Sequence, residues 1–217
     1  MPLQERKQTA VAGERRGPVT ERLFLVGMMG AGKSVVGQAV AQRLGWSFVD
    51  TDQEVRRSTG QSVPEIFASG GEERFRKGES RALLTCAAGS VPTVVSVGGG
   101  AVLSRENREL LSRSGLVVWL RAGLETLAQR VRGGAGRPLL EAAGAADGAG
   151  ATSTDGEKER VLRSLVAIEA ERRALYVEVA GAVVDVDALS VKEVADRVVD
   201  LVRAGSPARS SEGGKPL

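Results

Sequence analysis

The sequence predicts an α/β fold, a parallel sheet with helices on both faces. Five short and almost wholly apolar runs, residues 23–26, 47–50, 94–97, 116–120 and 182–186, have the pattern of strands buried on both faces. Longer helical patterns separate them, so β and α elements alternate along the chain. The length of 217 residues suits one domain with a sizeable core.

The elements follow in order. Strand 23–26 runs straight into a glycine-rich turn and then a helix over 34–44, whose Val36, Val40, Ala41 and Leu44 make a one-sided apolar stripe. Strand 47–50 ends in Asp50-Thr51-Asp52. Further helices are expected at about 72–88, 106–112, 124–132, 157–179 and 191–203. Residues 1–20 and 205–217 are rich in Gly, Pro, Ser and charge and are expected to be disordered tails. The domain between them spans 21–204. Residues 141–156 are dominated by Ala and Gly, with too little large apolar surface to pack firmly. Placed just after Arg137-Pro138, they extend a mobile lid over about 133–156; a linker without a role is the plainer reading.

Composition narrows the chemistry. Hydrophobic residues are 42% and aromatics only 3%, so the core must be Val, Leu, Ala and Ile. The net charge is +3, compatible with a pocket for anions, but no aromatics interleave the basic residues as a base-stacking platform needs. Nucleic acid is not an expected partner. The absence of histidine excludes His-dependent triads and His-ligated metals, leaving a carboxylate as proton acceptor. The one cysteine, Cys86, reads as a buried helix residue rather than a nucleophile. No apolar run approaches membrane-spanning length, and the first twenty residues lack an apolar signal core. A cytoplasmic protein and a monomer are expected.

The turn after the first strand reads Gly27-Met28-Met29-Gly30-Ala31-Gly32-Lys33-Ser34, the pattern G-x-x-x-x-G-K-S between a strand and a helix. Its glycines let backbone N–H groups point inward at phosphate oxygens, and the helix presents its positive end to the same anion. Lys33 reaches the β- and γ-phosphates, and the Ser34 hydroxyl ligates Mg²⁺. A glycine turn without a ligand is the alternative. The signal indicates a nucleoside triphosphate and is silent about the acceptor.

Asp50 and Asp52 stand at the carboxyl end of the second strand, where ligands of open parallel sheets gather. On an extended chain, i and i+2 side chains point the same way, so both carboxylates can converge. One can hold Mg²⁺ through water and the other can take a proton from an attacking hydroxyl. A helix N-cap would account for one of them, not both.

Together these motifs resemble the shikimate kinase family, in which ATP phosphorylates the 3-hydroxyl of shikimate. The resemblance covers about residues 23–203. It rests on the loop above, Asp50-Thr51-Asp52, and Gly71-Glu72-Glu73-Arg74-Phe75-Arg76-Lys77-Gly78-Glu79. It rests also on Gly98-Gly99-Gly100, Arg137-Pro138-Leu139-Leu140 and Arg172-Arg173-Ala174-Leu175-Tyr176. The resemblance implies a P-loop NTPase of the NMP-kinase-like type, a five-stranded parallel sheet flanked by helices with a mobile lid. It implies ATP contacts at Gly30, Ala31, Gly32, Lys33, Ser34 and Val35, with Arg130 stacking on adenine and Arg137 swinging onto the transferring phosphate. It places Mg²⁺ at Ser34 and, through water, Asp50. It assigns Asp52, Arg76, Arg172 and the triplet Gly98, Gly99 and Gly100 to shikimate, with Glu79 orienting Arg76. Asp52, Lys33 and Arg137 are the expected catalytic residues, and the product feeds chorismate and the aromatic amino acids.

An arginine fork suits a planar carboxylate better than lysine does, and Gly98, Gly99 and Gly100 allow close backbone approach. Ala174 stands where the family's motif has proline, and the lid is longer than is usual in the family. Rival readings are another small-metabolite kinase, of gluconate or a nucleoside monophosphate, and a non-catalytic nucleotide-binding relative.

Overall fold

The computed structural model describes residues 22–132 and 154–205. They form one parallel sheet of five strands: β1 (Arg22–Val26), β2 (Ser47–Asp50), β3 (Thr93–Ser96), β4 (Leu116–Arg121) and β5 (Ala182–Asp185), in the spatial order β2-β3-β1-β4-β5. The helices are α1 (Lys33–Leu44), α2 (Thr51–Thr59), α3 (Val63–Ala88), α4 (Arg105–Ser114), α5 (Leu124–Arg132), α6 (Thr154–Val179) and α7 (Val191–Arg203). A single 3₁₀ turn, Ala101–Leu103, follows β3.

Strand order and handedness decide which helix covers which face. The chain steps from β1 to β2 in one direction and from β2 to β3, β4 and β5 in the other. Right-handed crossovers then put α1 on one face and the later crossover helices on the opposite one. The packing agrees: α1 lies against α7, while α4 packs on α3 and α6, and α5 on α6. β1 and β4 are buried almost throughout, which explains their continuous apolar runs. The main core joins Phe24, Leu25, Val95, Val118 and Leu120 to Val40, Leu111, Leu165 and Val198. Each such side chain contributes about 1.5–3 kcal/mol on burial. A second, small cluster of Val55, Ile66 and Phe75 lies apart, between α2 and α3.

Local signals set the helix ends. Ser62 and Ser190 make capping boxes with Glu65 and Glu193, and α1 and α2 end on Gly45 and Gly60, both at φ +67°. Strand register aligns the site: Leu25, Ser96 and Asp50 are cross-strand partners in one row at the carboxyl ends of β1, β3 and β2.

Several expectations need correction. Helix α2 occupies residues the sequence assigned to no helix. Helix α3 begins at Val63 rather than 72, because the expected start fell on its interior break: Gly71 has φ +65° and ψ −174°, so two helical segments meet there. The helix expected from 157 begins at Thr154. Residues 1–21, 133–153 and 206–217, which hold the expected tails and nearly all of the lid, lie outside the described residues. Among the described residues no helix is long and apolar enough to cross a membrane.

Candidate active site

A cavity of about 420 Å³ opens at the carboxyl ends of β1, β2 and β3. β1 is the point where the chain changes direction across the sheet, the place where open α/β sheets take ligands. Lys33, Ser34 and Asp50 line one part of the cavity; Asp52, Arg76, Glu79, Gly99, Gly100 and Arg172 line another.

The phosphate-side wall is built from backbone. Gly27, Gly30 and Gly32 adopt φ of +141°, +82° and +90°, conformations that side-chain-bearing residues rarely take. At Gly27 space forbids a side chain as well, since a Cβ would lie 2.5 Å from the Leu120 carbonyl oxygen. Gly32 caps α1 without any side-chain hydrogen bond, and the first turn carries no acidic residue. The first N–H groups of α1 and its positive end therefore face the loop uncontested. Lys33 Nζ donates to the carbonyls of Gly27 at 2.9 Å and Met28 at 3.0 Å, which places its charge over the loop.

Asp50 does two jobs. Its Oδ1 accepts from the N–H groups of Asp52 (3.1 Å) and Gln53 (3.3 Å), capping α2, while Oδ2 accepts from the Ser34 hydroxyl at 2.6 Å. Ser96 Oγ lies 3.4 Å from Ser34 Oγ. The capping alternative and the site reading thus hold together for the same side chain. The extended i, i+2 geometry does not hold: Asp52 sits in the first turn of α2, and the helical turn, not strand alternation, carries it to the cavity.

Asp52 as a residue is half-buried, but its Oδ1 is enclosed and has no hydrogen-bond partner. Burial raises its pKa, the charge of Asp50 adds to the rise, and Lys33, Arg56 and Arg76 oppose it. Glu79, 1% exposed, is raised chiefly by burial, against the pull of Arg76. Its Oε2 accepts from Arg76 Nη1 at 2.8 Å, while Oε1 is enclosed and unpartnered. On its outer side Arg76 donates from Nε and Nη2 to Glu72 Oε1 at 3.1 and 2.8 Å. Arg172 is 4% exposed, and its Nε has no hydrogen-bond acceptor. A buried guanidinium without full pairing, facing a cavity, is a receptor for an anion.

Two of the three glycines after β3 are required by these side chains. A Cβ on Gly98 would overlap Glu79 Oε1 and lie 2.7 Å from Asp52 Oδ1; one on Gly100 would overlap the Arg76 guanidinium. Gly99 lies against Gly27 O, Tyr176 and Arg172. Two buried hydroxyls fix the triplet. Thr51 Oγ1 accepts from Gly98 N–H at 2.9 Å, and the Tyr176 hydroxyl donates to Gly99 O at 2.7 Å while its ring stacks on Trp119. Burial pushes the Tyr176 hydroxyl up to about 12, so it remains a donor at neutral pH.

Val63, Phe67 and Phe75 form an apolar side of the same cavity, and Arg56 a further basic one. Of these only Phe75 stood in a motif read from the sequence. Arg172 stood in the motif of residues 172–176, whereas the parts Thr51 and Tyr176 play in holding the glycine triplet are recognisable only once residues 47 and 77 positions apart are brought together.

Ala31, Val35 and Arg130 line a neighbouring hollow of about 240 Å³ with Leu189 and Val191, and Arg130 Nη1 donates to Gly30 O at 3.4 Å. Arg137 lies outside the described residues. Cys86 is half-buried away from both cavities, and burial pushes its thiol up to about 11, the behaviour of a structural cysteine.

A phosphate loop and a charged cavity side by side, at the carboxyl ends of a β2-β3-β1-β4-β5 parallel sheet, define a P-loop kinase acting on a small molecule. The model of the shikimate kinase family matches residues 29–203, and the chain belongs to that family. It is 40% identical over 180 residues to a shikimate kinase of Symbiobacterium thermophilum, covering 82% of this chain and 94% of the relative. To a shikimate kinase of Ruegeria pomeroyi it is 42% identical over 177 residues, 82% of either chain. Its fold is similar to that of the Acinetobacter baumannii shikimate kinase in complex with shikimate, with TM-score 0.73, 32% identity and coverage of 84% of this chain and 93% of the other.

Proposed function

We propose that the cavity holds shikimate with its 3-hydroxyl toward ATP on the phosphate loop, yielding shikimate 3-phosphate and ADP. The chain is an ATP-dependent shikimate kinase by family, and the placement of its residues supports the roles given to them here. One observation carries the reading: Arg76 and Arg172 reach the same cavity as Asp52 and Lys33. That arrangement fits an organic acid whose hydroxyl must face a triphosphate.

In this reading Arg76 and Arg172 bind the acid's carboxylate, and Gly98, Gly99 and Gly100 give it room. Asp52 grips hydroxyls and accepts the 3-hydroxyl proton. The freed oxygen attacks the γ-phosphorus, and the bond to the bridging oxygen of ADP breaks. Lys33, with the N–H groups from Gly30 to Val35, neutralises charge on the phosphates. Arg130 and the hollow beside Ala31 and Val35 take the adenine, and Arg137 serves the transferring phosphoryl group.

A magnesium ion fits this corner. Ser34 and Asp50 are hard oxygen donors in contact with each other beside the loop, and no cluster of three or more metal-ligating side chains occurs among the described residues. Mg²⁺ is held in this manner by one or two side chains, phosphates and waters, and when bound it draws charge from the β- and γ-phosphates.

The reading extends to a cytoplasmic monomer acting on small molecules, without nucleic acid or membrane as partner. Its test is ADP release measured with shikimate, gluconate and nucleoside monophosphates in turn. Release dependent on shikimate alone is expected; release with another acceptor and none with shikimate would replace the substrate.

A further inference from the structure

The acceptor part of the cavity is short of positive charge. Two guanidiniums, Arg76 and Arg172, line it with two carboxylates, Asp52 and Glu79, and a third carboxylate, Glu72, holds Arg76 from outside the cavity. Arg76 is occupied on both sides, by Glu72 at 2.8 Å and Glu79 at 2.8 Å. An anionic acceptor entering such a subsite would meet guanidiniums whose charge is already offset by neighbouring carboxylates, which weakens their pull on it.

Arg56 adds to the positive charge there. It lies on α2 one turn beyond Asp52, and its Nε reaches the Asp52 carbonyl at 3.4 Å, a long and weak hydrogen bond. Its side chain lines the cavity with Arg76 and Arg172, though the residue is exposed. The next residue, Arg57, is held by Glu54 at 2.7 Å. No carboxylate comes within 4.0 Å of Arg56 among the described residues, although Arg76 and Arg172 both have one. A long, hydrated guanidinium at the cavity wall, held by one weak contact, can turn toward whatever anion arrives.

We propose that Arg56 is a further determinant of acceptor specificity: a third guanidinium that gives the acid subsite the positive charge needed to draw in and hold a carboxylate-bearing acceptor. This rests on the cavity being the acceptor site. Arg56 works as a charge at a cleft mouth rather than as a fixed fork, so its action reaches farther than a hydrogen bond, is screened by salt and is modest in size.

The experiment compares the full chain with Arg56→Gln and Arg56→Lys in steady-state kinetics with shikimate and ATP. Shikimate-dependent turnover by the unaltered protein tests the acceptor assignment, independently of the variants. Arg56→Gln is expected to raise KM for shikimate by about three- to tenfold, with KM for ATP changed less than about twofold, the size of an exposed charge interaction. The difference should shrink at about 0.5 M salt, where the screening length is a few ångströms. Arg56→Lys should restore most of the loss, since a point charge suffices. With the methyl ester of shikimate, which lacks the carboxylate charge, Arg56→Gln and the unaltered protein should have the same kcat/KM. An unchanged KM for shikimate, an equal rise in both KM values, or the same loss with the ester would overturn the proposal.

Discussion

At the scale of single residues, the site trades stability for chemistry, most plainly at Asp52. Its Oδ1 is enclosed without a partner, and burial raises its pKa above the ordinary 3.8. A carboxyl whose pKa is raised by folding is costly to the fold in its ionised form. That cost is absent below the unfolded value, grows as pH rises through the window between the unfolded and folded pKa, and is complete above the latter. Asp52→Asn is therefore expected to raise Tm at neutral pH, the gain vanishing as pH falls below 3.8, while kcat falls by about 10²–10⁴ for loss of a general base. Thermal melts from neutral to acid pH, beside turnover, check this; a lowered Tm with normal turnover would remove Asp52 as the base. Thr51 is the complementary case, a buried hydroxyl that touches no ligand. Thr51→Val leaves the Gly98 N–H without an acceptor, a loss of about 1–3 kcal/mol. Because Gly98 packs against Asp52 and Glu79, kcat/KM for shikimate should fall while KM for ATP holds, and Thr51→Ser should recover both stability and rate. A Thr51→Val variant that loses stability alone would make Thr51 a structural residue only.

At the scale of elements, legibility follows the physical signal. The strands and α1 were plain because a buried parallel strand is a continuous apolar run and the glycine loop has fixed spacing. The segment from Thr51 to Gly71 was not. Thr51–Thr59 is strongly polar, so its helical face shows only Val55 as a buried apolar residue. The capping box from Ser62 to Glu65, with Pro64 in the first turn, did mark the start of α3. Gly70-Gly71 hid it by suggesting that the helix began afterwards. The cavity shows the same limit: Arg76 was readable from its motif, whereas the contact joining Tyr176 to Gly99 bridges 77 residues. The break at Gly71 itself carries a prediction. Its φ of +65° with ψ −174° is a region that only glycine occupies readily, yet a Cβ there would meet no atom within 4 Å. Gly71→Ala is therefore a test of backbone conformation alone. It should cost about 1–3 kcal/mol in denaturant unfolding. If the strain is relieved by straightening α3, Arg76 and Glu79 shift against Phe67, and KM for shikimate rises while KM for ATP does not. Unchanged stability and kinetics would show that the break carries no constraint.

At the scale of the molecule, the cavity lies between two unequal hydrophobic units. The main core runs through the whole sheet, from Val40 and Val198 on one side to Leu111 and Leu165 on the other, whereas the cluster under α2 and α3 has only Val55, Ile66 and Phe75 fully buried. With so few buried side chains, the smaller unit has less to lose on opening, so its backbone amides should open locally at lower free energy than those of β1 or β4. Arg76, proposed to bind the acid's carboxylate, and Glu79, which holds it, belong to that smaller unit, while Gly99, Gly100 and Arg172 face them from the larger one. On the proposed function, shikimate would therefore join the two units, whereas ATP would be cradled by the main one through the loop before α1. Amide exchange of the free protein should be fastest in α2 and the first half of α3. Saturating shikimate should slow exchange there and around the glycine triplet, and nucleotide alone should act chiefly on α1 and its loop. At about a hundred times Kd, each ligand also stabilises the folded state by about 2.7 kcal/mol, and the two increments should be separable. Arg76→Ala would abolish the shikimate protection and keep that of the nucleotide. Uniform slowing across the whole sheet by shikimate would mean that the acid does not bind between these units.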